Sequence, residues 1–316
     1  MTETAPRKII LDCDPGYDDA AAIMLAAGSP GLEVLAITTV AGNQTIGKVT
    51  NNALRIARMA GLKDIPVARG AVRPLLRPAV AVASQIHGET GLDGVDLPEA
   101  TLPLDPRPAA QVIVDIIMRE PEGTVTLVPT GPLTNIAIAA RLEPRIVSRV
   151  REVVLMGGAW REGNATPCAE FNIENDPEAA QIVFSESWKV TMVGLDLTYQ
   201  ARASEEVRER IRAVGNPSSK CLWQILEMFA ENYRVWRGFD SPPLHDPCAV
   251  AYVLDPTLLE VRAAPISVET HGTLTYGMTV ADLRGPAPEG CNTFVALRID
   301  VDRFWDLMVR AVEHLG

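Results

Sequence analysis

Paired cysteines are missing from this sequence. Its five cysteines, Cys13, Cys168, Cys221, Cys248 and Cys291, are widely spaced, odd in number and free of any Cys-x-x-Cys. That spacing argues against a disulfide framework or a zinc knuckle and for reduced thiols in a cytoplasmic enzyme. An apolar leader is missing too: residues 1–8 are polar, and no uncharged run reaches the length of a bilayer span. The protein is therefore expected to remain in the cytoplasm, away from membranes. Positive charge is also short, with 29 Lys and Arg against 40 Asp and Glu, a net charge of −11. Such a field repels nucleic acid and anionic lipid and suits a neutral substrate or a cation.

What is present is a chain of 316 residues, 47% hydrophobic, long enough to bury a sizeable core. Strands and helices alternate along it. The apolar run 8–11 reads as a strand, 19–27 as a buried helix ended by Gly28, and 33–40 as a second strand. Further helices are expected at 45–61, 109–117, 133–142 and 177–185, and from about 303 onward; strands are expected at 65–68, 124–128, 152–156 and 190–195. This predicts an α/β fold with an open, mainly parallel, Rossmann-like central sheet flanked by helices. No linker divides it, so residues 1–316 are read as one domain. The Pro- and Gly-rich segment 70–108 and the helical segment 201–243 fall outside the alternation and are candidate flaps.

The strand ends are too polar for bland turns. The first carries Asp12, Asp14, Asp18 and Asp19 within eight residues. The others run into Asn43, into Thr130, into Asn164, Glu170 and Asn172, and into Asp196. In an open parallel sheet these ends meet at one edge, where ligands bind. Four adjacent carboxylates resist ionising together unless they share a cation. A hard ion with oxygen ligands fits: calcium first, magnesium second, zinc or iron least, because no His is interleaved and Cys13, between Asp12 and Asp14, should point away from them on the strand. A helix cap at Asp18 explains one of the four, and strand termination explains Asp12 and Asp14 less well. No Gly-x-Gly-x-x-Gly follows the first strand, and its carboxylates would repel a pyrophosphate, so a dinucleotide enzyme is excluded.

Of the four histidines, His314 in the last helical turn reads as structural, and His271 sits in an uninformative turn. His87 lies on the 70–108 segment, and His245 precedes Asp246 at the start of a buried helix.

Taken in order, these residues resemble the inosine-uridine nucleoside hydrolase family. Asp12-Cys-Asp-Pro-Gly-Tyr-Asp-Asp19 is similar to its DxDPGxDD signature. Thr38-Thr-Val-Ala-Gly-Asn43, Val128-Pro-Thr-Gly-Pro-Leu-Thr-Asn135, Val154-Leu-Met-Gly-Gly158, Glu170-Phe-Asn-Ile173, Asp176-Pro-Glu-Ala-Ala180 and His245-Asp-Pro-Cys-Ala-Val-Ala251 continue the likeness. The resemblance implies one Ca2+ held by Asp14, Asp19, Asp246 and the Thr130 carbonyl. It implies ribose recognition by Asp18, Asn43, Asn164, Glu170 and Asn172. Asp14 is the implied general base toward a calcium-held water, and His245 the implied proton donor to the base. His87 and Tyr233 are the implied flap residues beside the base, a set that resembles the class accepting both inosine and uridine. A homodimer or homotetramer and a role in purine and pyrimidine salvage are implied as well. Trp160, Trp223 and Trp236 read as packing residues, and Cys13 as buried and inert.

Such chemistry suits the residues. N-glycosidic cleavage builds positive charge on the sugar and negative charge on the base, so it needs an oriented water, nearby carboxylates and a donor to the base. Two alternatives stand beside it. A magnesium-dependent phosphatase of the haloacid dehalogenase type shares the Asp12-Cys-Asp14 start, but Pro15-Gly16 follows and the middle of the chain has almost no lysine. A non-catalytic nucleoside-binding protein would keep Asn164, Glu170 and Asn172 but could dispense with Asp14.

Overall fold

The computed structural model describes residues 5–316; the polar start of the chain, residues 1–4, lies outside the described residues. The elements run β1 (Arg7–Cys13), α1 (Tyr17–Ala27), β2 (Leu32–Thr39), α2 (Ile46–Met59), β3 (Val67–Arg69), α3 (Ser84–His87), β4 (Leu104–Asp105) and α4 (Ala109–Arg119). They continue with β5 (Val125–Pro129), α5 (Thr134–Leu142), α6 (Ile146–Arg149), β6 (Glu152–Met156), α7 (Phe171–Asn175), α8 (Pro177–Ser185), β7 (Val190–Val193) and α9 (Leu195–Thr198). The last third holds α10 (Glu205–Ala213), α11 (Pro217–Arg237), α12 (Asp246–Leu254), β8 (Leu259–Ala263), β9 (Ile266–Val268), β10 (Thr279–Ala281), β11 (Thr293–Ile299) and α13 (Val301–His314).

Nine strands form one sheet in the order β4-β3-β2-β1-β5-β6-β7-β11-β8. Every pairing in it is parallel except β11 with β8. The expected mainly parallel sheet is therefore found, with an antiparallel edge that the alternation of elements did not predict. The chain steps outward from β1 through β2, β3 and β4, then returns to the other side of β1 at β5. The β1/β5 junction is thus the switch point where a crevice opens.

Strand β1 feeds both faces, because successive side chains point oppositely. Ile9, Leu11 and Cys13 join the apolar layer beneath α1, α2, α11, α12 and α13. Ile10 joins the layer beneath α4, α5 and α8. Cys13 is accordingly buried and turned into the core, where burial raises its thiol above the usual range. Helix starts follow local capping rules: the Asp176 carboxylate accepts from Ala179 N at 3.1 Å, with Pro177 as the first residue of α8. His314 ties α13 to the end of α1 through a 2.9 Å hydrogen bond to the Gly28 carbonyl. No helix among the described residues is long and apolar enough to cross a membrane.

Candidate active site

Two glycines make room for Asp14. A Cβ on Gly42, after β2, would lie 2.0 Å from Asp14 Oδ2, and one on Gly131, after β5, would lie 2.5 Å from Asp14 Oδ1. The carboxylate therefore fills the gap between the two strand ends that flank β1. Asn43 N donates to its Oδ2 at 2.6 Å, while Oδ1 is buried without a protein partner.

Asp19 is fully buried beside it. Its carboxylate accepts from Thr130 Oγ1 (2.8 Å), Asn43 Nδ2 (3.1 Å), Asp14 N (3.2 Å) and Gly16 N (3.2 Å). The bond to Gly16 caps the start of α1, so Asp19 rather than Asp18 serves that end of the helix. This frees Asp18, whose Oδ1 is buried and unpartnered. Carboxylate oxygens of Asp18, Asp19 and Asp246 lie within 4.8 Å of one another, a grouping able to hold a metal ion. Burial pushes all four carboxyls upward, and for Asp14, Asp18 and Asp246 the neighbouring carboxylates add to the shift. Orphaned oxygens on carboxyls that cannot all ionise are what a hard cation would relieve. Asp12 is tied into the sheet through one oxygen, its Oδ1 accepting from Thr38 Oγ1 (2.6 Å) and Asn135 Nδ2 (2.8 Å), while its Oδ2 is buried without a protein partner.

A cavity of about 510 Å³ opens over the cluster. Asp18, Asp246 and Thr130 reach it from below, and Asn43, Asn164, Glu170 and Asn172 form its walls. Asp14 and Asp19 lie buried behind that surface. Glu170 caps α7, with Oε1 accepting from Asn172 N (2.9 Å) and Oε2 from Gly158 N (2.9 Å) and Ile173 N (3.1 Å). Burial nevertheless raises its carboxyl to about 7. Each amide has one end engaged. Asn172 Nδ2 donates to the Thr130 carbonyl at 2.7 Å, Asn43 Nδ2 donates to the Asp14 carbonyl at 3.2 Å, and Asn164 Oδ1 accepts from Phe171 N at 2.8 Å.

The rim carries His245, Tyr233 and His87. His245 Nδ1 lies 2.7 Å from Thr198 Oγ1, and Nε2 lies 2.9 Å from Tyr233 Oη. His87 Nδ1 accepts from Tyr17 N at 3.2 Å, and its ring packs against both Tyr17 and Phe229, which also touch each other. Burial holds both imidazoles down at about 3, so both are neutral near pH 7. Of the two candidate flaps, only residues 81–87 and one face of α11 border the cavity. The stretch before them is pinned: Asn135 Oδ1 accepts from Ala71 N, Asp176 Oδ2 from Leu75 N, and Asn175 Oδ1 from Ala81 N, all at 2.9 Å.

Several contributors escaped the sequence reading. Phe229 and Arg237 line the cavity one helical turn either side of Tyr233, a spacing of four that marks one helix face. Met156 lines it from the end of β6, where the strand-end rule points. Thr198 carries no local signal. Asp196, by contrast, supports the loop after β6 by accepting from Trp160 N at 2.8 Å and lies off the cavity lining. Trp160, Trp223 and Trp236 are also absent from the lining.

The match to known proteins is extensive. The family model described as inosine-uridine preferring nucleoside hydrolase covers residues 9–306. The inosine-uridine preferring nucleoside hydrolase of Leishmania major is 55% identical over 98% of this chain and 99% of that protein. The one from Crithidia fasciculata is 53% identical over 98% and 99%. Among solved structures, a purine-preferring ribonucleoside hydrolase from Gardnerella vaginalis superposes with a TM-score of 0.91 at 32% identity, covering 98% of this chain and 99% of that one. The phosphatase alternative falls with these matches. An acidic cluster under a cavity lined by amides thus sits in a chain that belongs to the inosine-uridine preferring nucleoside hydrolase family, N-glycosyl hydrolases that release the base from ribonucleosides.

Proposed function

We propose that this chain hydrolyses inosine, uridine and related ribonucleosides to ribose and free base with Ca2+ as its resident ion. One observation carries the reading: partnerless carboxylate oxygens gather beneath a cavity walled by half-satisfied amides and rimmed by an imidazole–phenol pair. Asp14, Asp19, Asp246 and the Thr130 carbonyl would hold the ion; the set is all oxygen, as calcium prefers. When bound, calcium supplies an acidified water and a docking point for the vicinal ribose hydroxyls.

Asp14 accepts the proton of the attacking water. Asn43 and Asn172 keep their Oδ1 atoms for ribose hydroxyls, and Asn164 keeps its Nδ2, because their other ends are engaged within the protein. Asp18 accepts from the sugar as well. Both Glu170 oxygens are occupied by backbone N–H groups, so its charge rather than a free lone pair favours the cationic sugar. Tyr233 and His87 flank the base, and His245, whose Nε2 meets Tyr233 Oη at 2.9 Å, helps it leave through that hydroxyl. Direct displacement with inversion follows from water attack. Dimers or tetramers in the cytoplasm, serving purine and pyrimidine salvage, complete the proposal.

Reducing-sugar release from inosine, uridine, adenosine and cytidine, with and without a chelator, tests it. Ribose is expected from inosine and uridine, lost on chelation and restored by calcium. Tight nucleoside binding with no ribose over hours would make the chain a binding protein, and full restoration by magnesium alone would remove calcium from its place.

A further inference from the structure

The His245 ring is held at both nitrogens, and the two partners differ. Tyr233 belongs to the cavity lining; Thr198, at the end of α9, is fully buried behind it. Among the described residues, His245 Nδ1 is the one hydrogen-bond partner of the Thr198 hydroxyl, at 2.7 Å. A buried hydroxyl that finds no acceptor for its hydrogen is costly. Thr198 therefore donates to Nδ1. A neutral imidazole with an accepting Nδ1 carries its hydrogen on Nε2. Nε2 then donates to Tyr233 Oη at 2.9 Å, and the phenol hydrogen is released toward the cavity.

We propose that Thr198 is a positioning residue that sets the direction of this chain, so that every donor from Thr198 through His245 to Tyr233 points at the departing base. The proposal rests on the donor role given to His245 above. The opposite tautomer would make Nε2 the acceptor and turn the Tyr233 hydrogen away from the cavity. Aromatic packing cannot make this choice. Tyr199 meets the His245 ring edge-on at 5.6 Å and Tyr233 meets it tilted at 6.3 Å, which fixes the ring plane but not which nitrogen bears the hydrogen.

The test pairs kinetics with spectroscopy on Thr198→Val, Thr198→Ser and His245→Ala. Valine keeps the shape and removes the hydroxyl; serine restores it. Inosine needs a donor for its base, whereas nitrophenyl riboside has a leaving group that does not. Thr198→Val is expected to lower kcat on inosine roughly ten- to hundredfold, the usual cost of losing an orienting hydrogen bond, with KM and the nitrophenyl rate held. Thr198→Ser should recover inosine turnover. Only four histidines are present, so ¹⁵N-histidine NMR resolves His245 by subtracting the His245→Ala spectrum. Hydrogen on Nε2 is expected in the parent and a loss of that preference in Thr198→Val. Hydrogen on Nδ1 in the parent would overturn the proposal. So would a Thr198→Val enzyme that slows both substrates equally or neither, while His245→Ala remains selective for inosine. Equal losses on both substrates in His245→Ala would instead overturn the donor role on which it rests.

Discussion

The Asn43 backbone N–H grips Asp14 Oδ2 at 2.6 Å and leaves Asp14 Oδ1 as the buried, unpartnered oxygen of the pair. One oxygen thus orients the side chain and the other is left without a protein partner. Asp14→Ala is expected to fold and to lose about 10²- to 10⁴-fold in kcat, the range for a missing general base. Gly42→Ala should do the same from a distance, because its Cβ would meet Asp14 Oδ2 at 2.0 Å and Pro132 Cδ at 2.8 Å. Near-parental turnover in either variant, measured by ribose release, would remove Asp14 from its role.

His87 gives the stability a pH dependence of known sign. Burial lowers its imidazole from the ordinary 6.5 to about 3. The folded state therefore binds fewer protons than the unfolded chain between these values. Its contribution is complete above pH 6.5 and is lost as the pH falls toward 3, by at most about 1.4 kcal/mol per pH unit. His87→Asn keeps an acceptor for Tyr17 N but does not titrate. Urea midpoints at pH 7 and pH 5 should fall further for the parent than for His87→Asn; equal falls would contradict the assignment.

Asn175 latches the cavity rim. Its Oδ1 accepts from Ala81 N at 2.9 Å and its Nδ2 donates to the Ala81 carbonyl at 3.3 Å, at the first of the residues 81–87 that border the cavity. Asn175→Ala should loosen that rim at a cost of about 1–2 kcal/mol in bonds lost. The expected signature is a severalfold higher KM for inosine with kcat nearly kept. A fall in kcat with KM unchanged would place the residue elsewhere in the reaction.

Trp236 is 61% exposed and lies off the cavity lining. Trp236→Ala should leave KM for inosine unaltered. A large rise would mean that the indole stacks on the base.

Much of this was legible before the structure. Strands read from apolar runs fall within a residue or three of those observed, because most of their residues are buried and cannot hide their composition. The strand-end rule brought Asn43, Thr130, Glu170 and Asn172 to one cavity, although they lie far apart in the chain. Helix α1 begins at Tyr17 rather than Asp19, since Asp19 bonds back to Gly16. Strands β8 to β11 went unread: Leu259–Ala263 is an edge strand, mostly half-exposed, and the short β9 and β10 form a separate pair. Tyr233, on the helical segment outside the alternation of strands and helices, meets His245. Thr198 is an ordinary residue until the fold sets it against an imidazole 47 positions away. Such pairings depend on tertiary juxtaposition and leave no mark on local sequence.

Equilibrium binding of calcium to chelator-stripped protein, with Asp246→Asn alongside, reaches the centre of the account. One ion per chain is expected in the parent, with affinity largely lost in a folded Asp246→Asn variant whose carboxylate no longer faces Asp18 and Asp19. No bound calcium in the parent, or undiminished binding in the variant, would contradict it.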